Sequence, residues 1–186
     1  MRPIVLQPAR GVARPRQARS AAVVLALALA GCAPALDWRQ VQPDDAGVQA
    51  LYPCKPRSHE RTVRLAGNEV RMRMYACQAQ GLTFGITYAD LPSPAQVGPA
   101  LRELRDAAST HLPGVAHALP PLQVPGMTPQ PDAAHLRLEA RRPDGRPLVQ
   151  EAAFFARGTR VYQANVVGER LPQEPAQTFF AGLALR

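Results

Sequence analysis

Residues 70–76 read Val-Arg-Met-Arg-Met-Tyr-Ala. Val70, Met72, Met74 and Ala76 alternate with Arg71, Arg73 and Tyr75, a period of two that gives a strand one apolar and one polar face. Working backwards, residues 61–65 form a matching strand, joined to the first through the short loop Ala66-Gly67-Asn68-Glu69. Working forwards, Leu82, Phe84, Ile86 and Tyr88 alternate with Gly81, Thr83, Gly85 and Thr87 and continue the meander. Leu136 and Leu138 alternate with Arg137 and Glu139 in a later segment. The turn Arg142-Pro143-Asp144-Gly145-Arg146-Pro147 follows, with Asp-Gly as its hairpin signal. Residues 148–155 return, Arg157-Gly158-Thr159 turns again, residues 160–167 form a further strand, and Leu183 and Leu185 mark a last one.

Helical signals are fewer. Ser93, Pro94 and Gln96 occupy N-cap, N1 and N3 of a capping-box pattern. The helix that follows places Val97, Leu101, Leu104 and Ala108 on one face and Arg102, Glu103, Arg105 and Asp106 outside. Gly98-Pro99 is expected to break its first turn, and Pro113-Gly114 ends it. A short helix over residues 175–180 buries Phe179 or Phe180. Residues 112–131, rich in proline, read as a long ordered loop. The expected fold class is therefore α+β, an antiparallel β-sheet with two or three packed helices.

Upstream of this domain the chain changes character. Residues 1–20 carry Arg2, Arg10, Arg14, Arg16 and Arg19 and no acid, and an unbroken apolar run follows from Ala21 to Ala30. A basic leader, a short apolar segment and small residues at its end make a secretory signal. Ten apolar residues rise only about 15 Å as a helix, half of a hydrocarbon core of about 30 Å. Leu29-Ala30-Gly31-Cys32 resembles the lipobox of bacterial lipoproteins. The resemblance implies cleavage between Gly31 and Cys32, a diacylglycerol thioether on the Cys32 thiol and an acyl chain on the new amino group. Ala33, in place of Asp, implies sorting to the outer membrane, facing the periplasm. The expected organisation is a signal peptide at 1–31, a lipidated cysteine and tether at 32–37, and one domain at 38–186. The expected membrane contact is the lipid anchor.

The formal charge of +8 is largely the leader's: residues 32–186 hold 17 basic and 14 acidic side chains, a balance of +3. A nucleic-acid partner is accordingly not expected. With Cys32 assigned to lipid, Cys54 and Cys77 remain, and an even pair in an oxidising compartment argues for a disulfide. The hairpin supports contact, since extending it sets Cys77 opposite about residue 58. Two reduced buried thiols, or a catalytic thiol, remain as alternatives.

Leu51-Tyr52-Pro53 with Pro56 is similar to the proline-marked "FPxxP" start of PsbP-like proteins. Phe84-Gly85-Ile86-Thr87-Tyr88-Ala89-Asp90 resembles their next strand, and Val161-Tyr162 through Thr178-Phe179-Phe180 their closing strand and helix. The resemblance implies a PsbP-like sandwich and carries no functional residue.

Catalytic motifs are absent from the sequence. His59, His111, His117 and His135 are scattered, and His111 and His117 are not an i, i+4 metal pair. Ser58, Ser93 and Ser109 lie outside any G-x-S-x-G. Asp44-Asp45 reads as a solvated pair in a linker. No metal, no enzyme activity and no cofactor beyond the covalent lipid are expected. One surface feature stands out: Arg71 with Arg73, and Arg137 with Arg141, form same-parity rows. They are the candidate patch for an anionic envelope partner, against the plainer reading of a solvated face neutralised by Glu60, Glu69 and Glu139. The functional expectation is a non-catalytic binding or assembly accessory factor, with another envelope protein as its candidate partner; the alternative is a periplasmic small-ligand binder using a pocket between sheet and helix.

Overall fold

A computed structural model describes residues 36–111 and 114–186. The signal segment, Gly31 and Cys32 lie outside the described residues. In chain order the strands are β1 (Arg39–Val41), β2 (Val48–Tyr52), β3 (Arg57–Leu65), β4 (Asn68–Ala79) and β5 (Leu82–Asp90). After a 3-10 turn at Pro94–Gln96 come α1 (Val97–His111), β6 (Gly114–Ala118), β7 (Ala134–Arg141), β8 (Pro147–Arg157) and β9 (Arg160–Gly168). The short α2 (Gln173–Ala181) and β10 (Ala184–Leu185) close the chain.

Seven strands form one antiparallel sheet in the order β3-β4-β5-β9-β8-β7-β6, and three form a small one, β1-β2-β10. The β3–β4 turn is only two residues, Ala66 and Gly67, both at positive φ (49° and 80°). Two such residues match the right-handed twist of the flanking strands, which fixes the register Leu65↔Asn68 and Val63↔Val70.

Parity assigns the faces. Phe84, Ile86, Tyr88, Phe155, Tyr162, Ala164 and Val166 face α2 and the small sheet, in a core with Val48, Tyr52, Phe179, Leu183 and Leu185. Val70, Met72, Ala89, Phe154 and Val161 face the other way, onto Val97, Ala100 and Leu101 of α1. The three-layer arrangement explains why Ala152–Ala156 is buried without alternation: β8 is covered on both sides. It also splits the pattern of β4. Val70 and Met72 lie under α1, but Met74 is 37% exposed, and burial passes to Cys77 on the opposite face.

The expected α+β class with two or three packed helices is corrected. The fold is sheet-rich, with one long helix of 15 residues and a second of nine. The strands run further than the turn signals indicate: β3 starts at Arg57, in a stretch exposed throughout residues 57–62, and β4 reaches Ala79. The 112–131 segment is not all loop either, since β6 occupies its start. Ser93 does cap, its Oγ accepting from Ala95 N–H at 3.3 Å, but Gln96 Oε1 is buried without a partner, so the reciprocal half of the capping box is missing. Pro99 does not break α1, because the first turn of a helix needs no donor there. Among the described residues no helix is long and apolar enough to cross a membrane.

Candidate binding pocket

Between β6 and β7 the chain takes a long detour through residues 119–133, and that segment roofs a cavity of about 600 Å3 over β7 and β8. Leu119, Leu122, Met127, Leu136, Phe154 and Phe155 are its large apolar lining side chains. The roof is tied down along its length by backbone bonds. Leu119 N–H donates to His135 O at 2.8 Å, Thr128 N–H to Ala156 O at 2.8 Å, and Leu185 N–H to Pro125 O at 2.7 Å. Thr128 Oγ1 in turn accepts from Gly158 N–H at 3.0 Å. A proline-rich segment, poor in donors of its own, is thus ordered by borrowing partners from β7, β8 and β10.

The polar groups at this cavity are few. Arg105 reaches it from α1; its Nε meets Asp106 only at 3.4 Å, a weak and exposed pair. His135 reaches it from β7 with both ring nitrogens engaged: Nδ1 lies 3.1 Å from Pro120 O and Nε2 lies 3.0 Å from Glu151 Oε1. Both partners are acceptors, so the arrangement is satisfied only when both nitrogens carry protons. Burial of the ring pulls its pKa down, but the Glu151 carboxylate and the Pro120 carbonyl outweigh it and hold the pKa above the ordinary value. The imidazole also packs against the Phe180 ring at 5.2 Å.

This pair has a pH signature. A pKa raised in the folded state contributes stability that is complete below the unfolded value of 6.5 and is lost as pH rises through the folded value. Thermal unfolding midpoints are therefore expected to fall between pH 6 and pH 8, and His135→Gln should flatten that part of the profile. An unchanged slope in His135→Gln would show that the pair contributes nothing.

The residues of the expected arginine patch fall into two separate places. Arg71 and Arg73 lie on β4, Arg137 and Arg141 on β7, four strand steps apart, or about 19 Å at about 4.8 Å per step. Each row has local partners. Arg71 and Arg73 both pair with Glu60, and Arg73 also with Asp45. Arg137 pairs with Glu139 at 3.0 Å, and Arg141 donates to Gly145 O at 3.0 Å. Asp45 is exposed but partnered: it accepts from Tyr75 OH at 2.7 Å. That bond, chief among several causes, holds the Asp45 carboxyl below its usual range and pushes the Tyr75 phenol up to about 12. Beside it, Arg160 binds Asp90 through two nitrogens at 2.6 and 2.7 Å and lies 4.9 Å over the Tyr88 ring. With three arginines and three carboxylates interlocked, this face is a neutralised network.

Cys54 and Cys77 lie at bonding distance, 2.08 Å between sulfurs, with Cα atoms 5.9 Å apart. Arg57 pairs with Ala76, so Cys77 sits just past the β3–β4 ladder, opposite residue 56 and not 58. Among the described residues no group of three or more His, Cys, Asp or Glu could hold a metal ion.

No protein-family model matches the chain, and no curated protein matches it. The site is therefore read from its own residues. His135 is one of four scattered histidines in the sequence, and nothing local marks it. The visible signal for its partner is Glu151 itself, a carboxylate inside the apolar run 148–155.

Proposed function

We propose that the protein is a bacterial lipoprotein, anchored through acyl chains on Cys32 in the outer membrane and facing the periplasm, that acts by binding a small amphipathic anion. The lipobox pattern supports the anchor. The cavity beneath residues 119–133 carries the binding reading: its volume of about 600 Å3 falls within the roughly 300–1,000 Å3 typical of ligand sites, and it combines apolar walls with few polar groups. Glu151 already neutralises His135, so Arg105, held only by the weak Asp106 contact, is the cation left for a ligand's acidic end. An apolar body would lie against Leu122, Met127 and Phe155.

The anchor is tested by intact mass spectrometry of the chain recovered from membranes. A species beginning at Cys32 with added acyl mass is the expected result, and an unlipidated chain retaining Met1 overturns it. The pocket is tested with 8-anilinonaphthalene-1-sulfonate, an apolar anion that fluoresces on leaving water. Saturable binding is expected, weakened at least tenfold by Ala133→Phe, which fills the cavity, and several-fold by Arg105→Gln. Equal binding by all three proteins would sink the assignment.

A further inference from the structure

The two edges of the large sheet are built differently. β3, at one edge, reads RSHERTVRL, and its Arg57, His59, Glu60, Arg61 and Arg64 make it a poor template for another strand. β6, at the other, reads GVAHA, with no formally charged side chain and no proline, and all five of its residues are exposed. Val115 on this strand is 59% exposed, one of two large apolar side chains so placed among the described residues.

The direction of the free backbone groups follows from the register. β6 pairs with β7 as Val115↔Glu139 and His117↔Arg137, and Leu119 N–H continues the ladder to His135 O. Hydrogen-bonded pairs alternate in an antiparallel ladder, so residues 115, 117 and 119 bond inward, and Gly114, Ala116 and Ala118 direct their N–H and C=O groups away from the sheet. Gly114 is required here, because a Cβ would sit 2.0 Å from Glu139 O.

We infer that β6 pairs antiparallel with β6 of a second copy of this chain, about a two-fold axis at Ala116. The strand is complementary to itself in that register. Ala116 meets its own copy on the axis, Gly114 meets Ala118, and Val115 meets His117. On one face the row across the junction reads Glu139, Val115, then His117 and Arg137 of the second copy. Glu139 and Arg137 already pair within each chain, so the side chains that meet across the junction are those of β6 alone, and no charged side chain faces itself. Three outward residues on each strand provide about six backbone hydrogen bonds. Five residues bury far less than the roughly 1,200 Å2 of a stable interface, so the pairing is weak and is best captured covalently.

The test uses the full chain in membranes, carrying single cysteines and a mild oxidant. Ala116→Cys alone should give a disulfide-linked dimer on a non-reducing gel, since its Cα atoms would lie about 5.5 Å apart. Differently tagged Val115→Cys and His117→Cys copies should join each other, whereas neither should join itself. Asp144→Cys, on an exposed turn, measures random collision. Ala116→Pro removes only an outward N–H and is expected to abolish the Val115–His117 crosslink while keeping the thermal midpoint. Crosslinking no greater than at Asp144, or without dependence on register, overturns the inference. So does trapping of a different protein at Ala116, which would assign the edge to another chain.

Discussion

Replacing Cys54 and Cys77 together by Ala is expected to lower stability by about 3 kcal/mol, the loop-closure value for a bridge of this span. For a domain of this size that is roughly 6–12 °C in the unfolding midpoint. The bridge spans 23 residues and carries the chain from the end of β2 in the small sheet to β4 in the large one. Without it the two sheets are still joined, by the Tyr52 hydroxyl donating to Tyr75 O at 3.0 Å and by the rings of Tyr52, Phe84 and Phe179. The domain should therefore still fold but unfold earlier. Circular dichroism melts with and without dithiothreitol check this directly. The reduced wild type should melt near the double variant, and a shift of less than about 2 °C on reduction would remove the bridge from the account of stability.

The strands of this protein were legible because each couples a local period to a local turn. Met72 and Phe84 announce their faces, and Gly67, Gly145 and Gly158 mark the hairpins. The helix α1 was legible for the same reason: Val97 and Leu101 are fully buried, at the intended stripe. What could not be read was anything requiring strand order. The two arginine rows are real, but β5, β9 and β8 stand between them. β6 gave no signal because all five residues are exposed, and without a buried face a strand has no alternation. The pocket was hidden likewise. Arg137 is the residue directly opposite Glu151, yet Glu151 bonds the diagonal neighbour His135, while Arg137 turns to Glu139. That choice depends on Pro120 arriving over β7 to occupy the other imidazole nitrogen, a contact between residues 15 apart across an irregular loop.

Gly126→Ala is expected to cost about 3 kcal/mol and to release the roof of the pocket. Gly126 has a φ of 83°, a region that costs an L residue about 1–2 kcal/mol. Space is lacking as well: a Cβ there would lie 2.4 Å from Leu185 O and 3.1 Å from its carbon, backbone atoms that cannot rotate aside. Relief requires the loop and β10 to separate, which breaks the Leu185 N–H bond to Pro125 O, worth about another 1 kcal/mol. Because Leu185 also pairs with Val48 and Arg186 N–H donates to Gly47 O, the disturbance reaches the small sheet before it reaches β7 and β8. Hydrogen exchange should locate it. Faster exchange is expected at Met127, Thr128 and Leu185, with the amides of the β8–β9 ladder unchanged. Loss of anilinonaphthalene fluorescence should accompany it, whereas Gly145→Ala has open space for a methyl group and pays only its positive φ, at a turn remote from the pocket. If Gly126→Ala binds the probe as the wild type does, residues 119–133 are not the roof that holds the ligand.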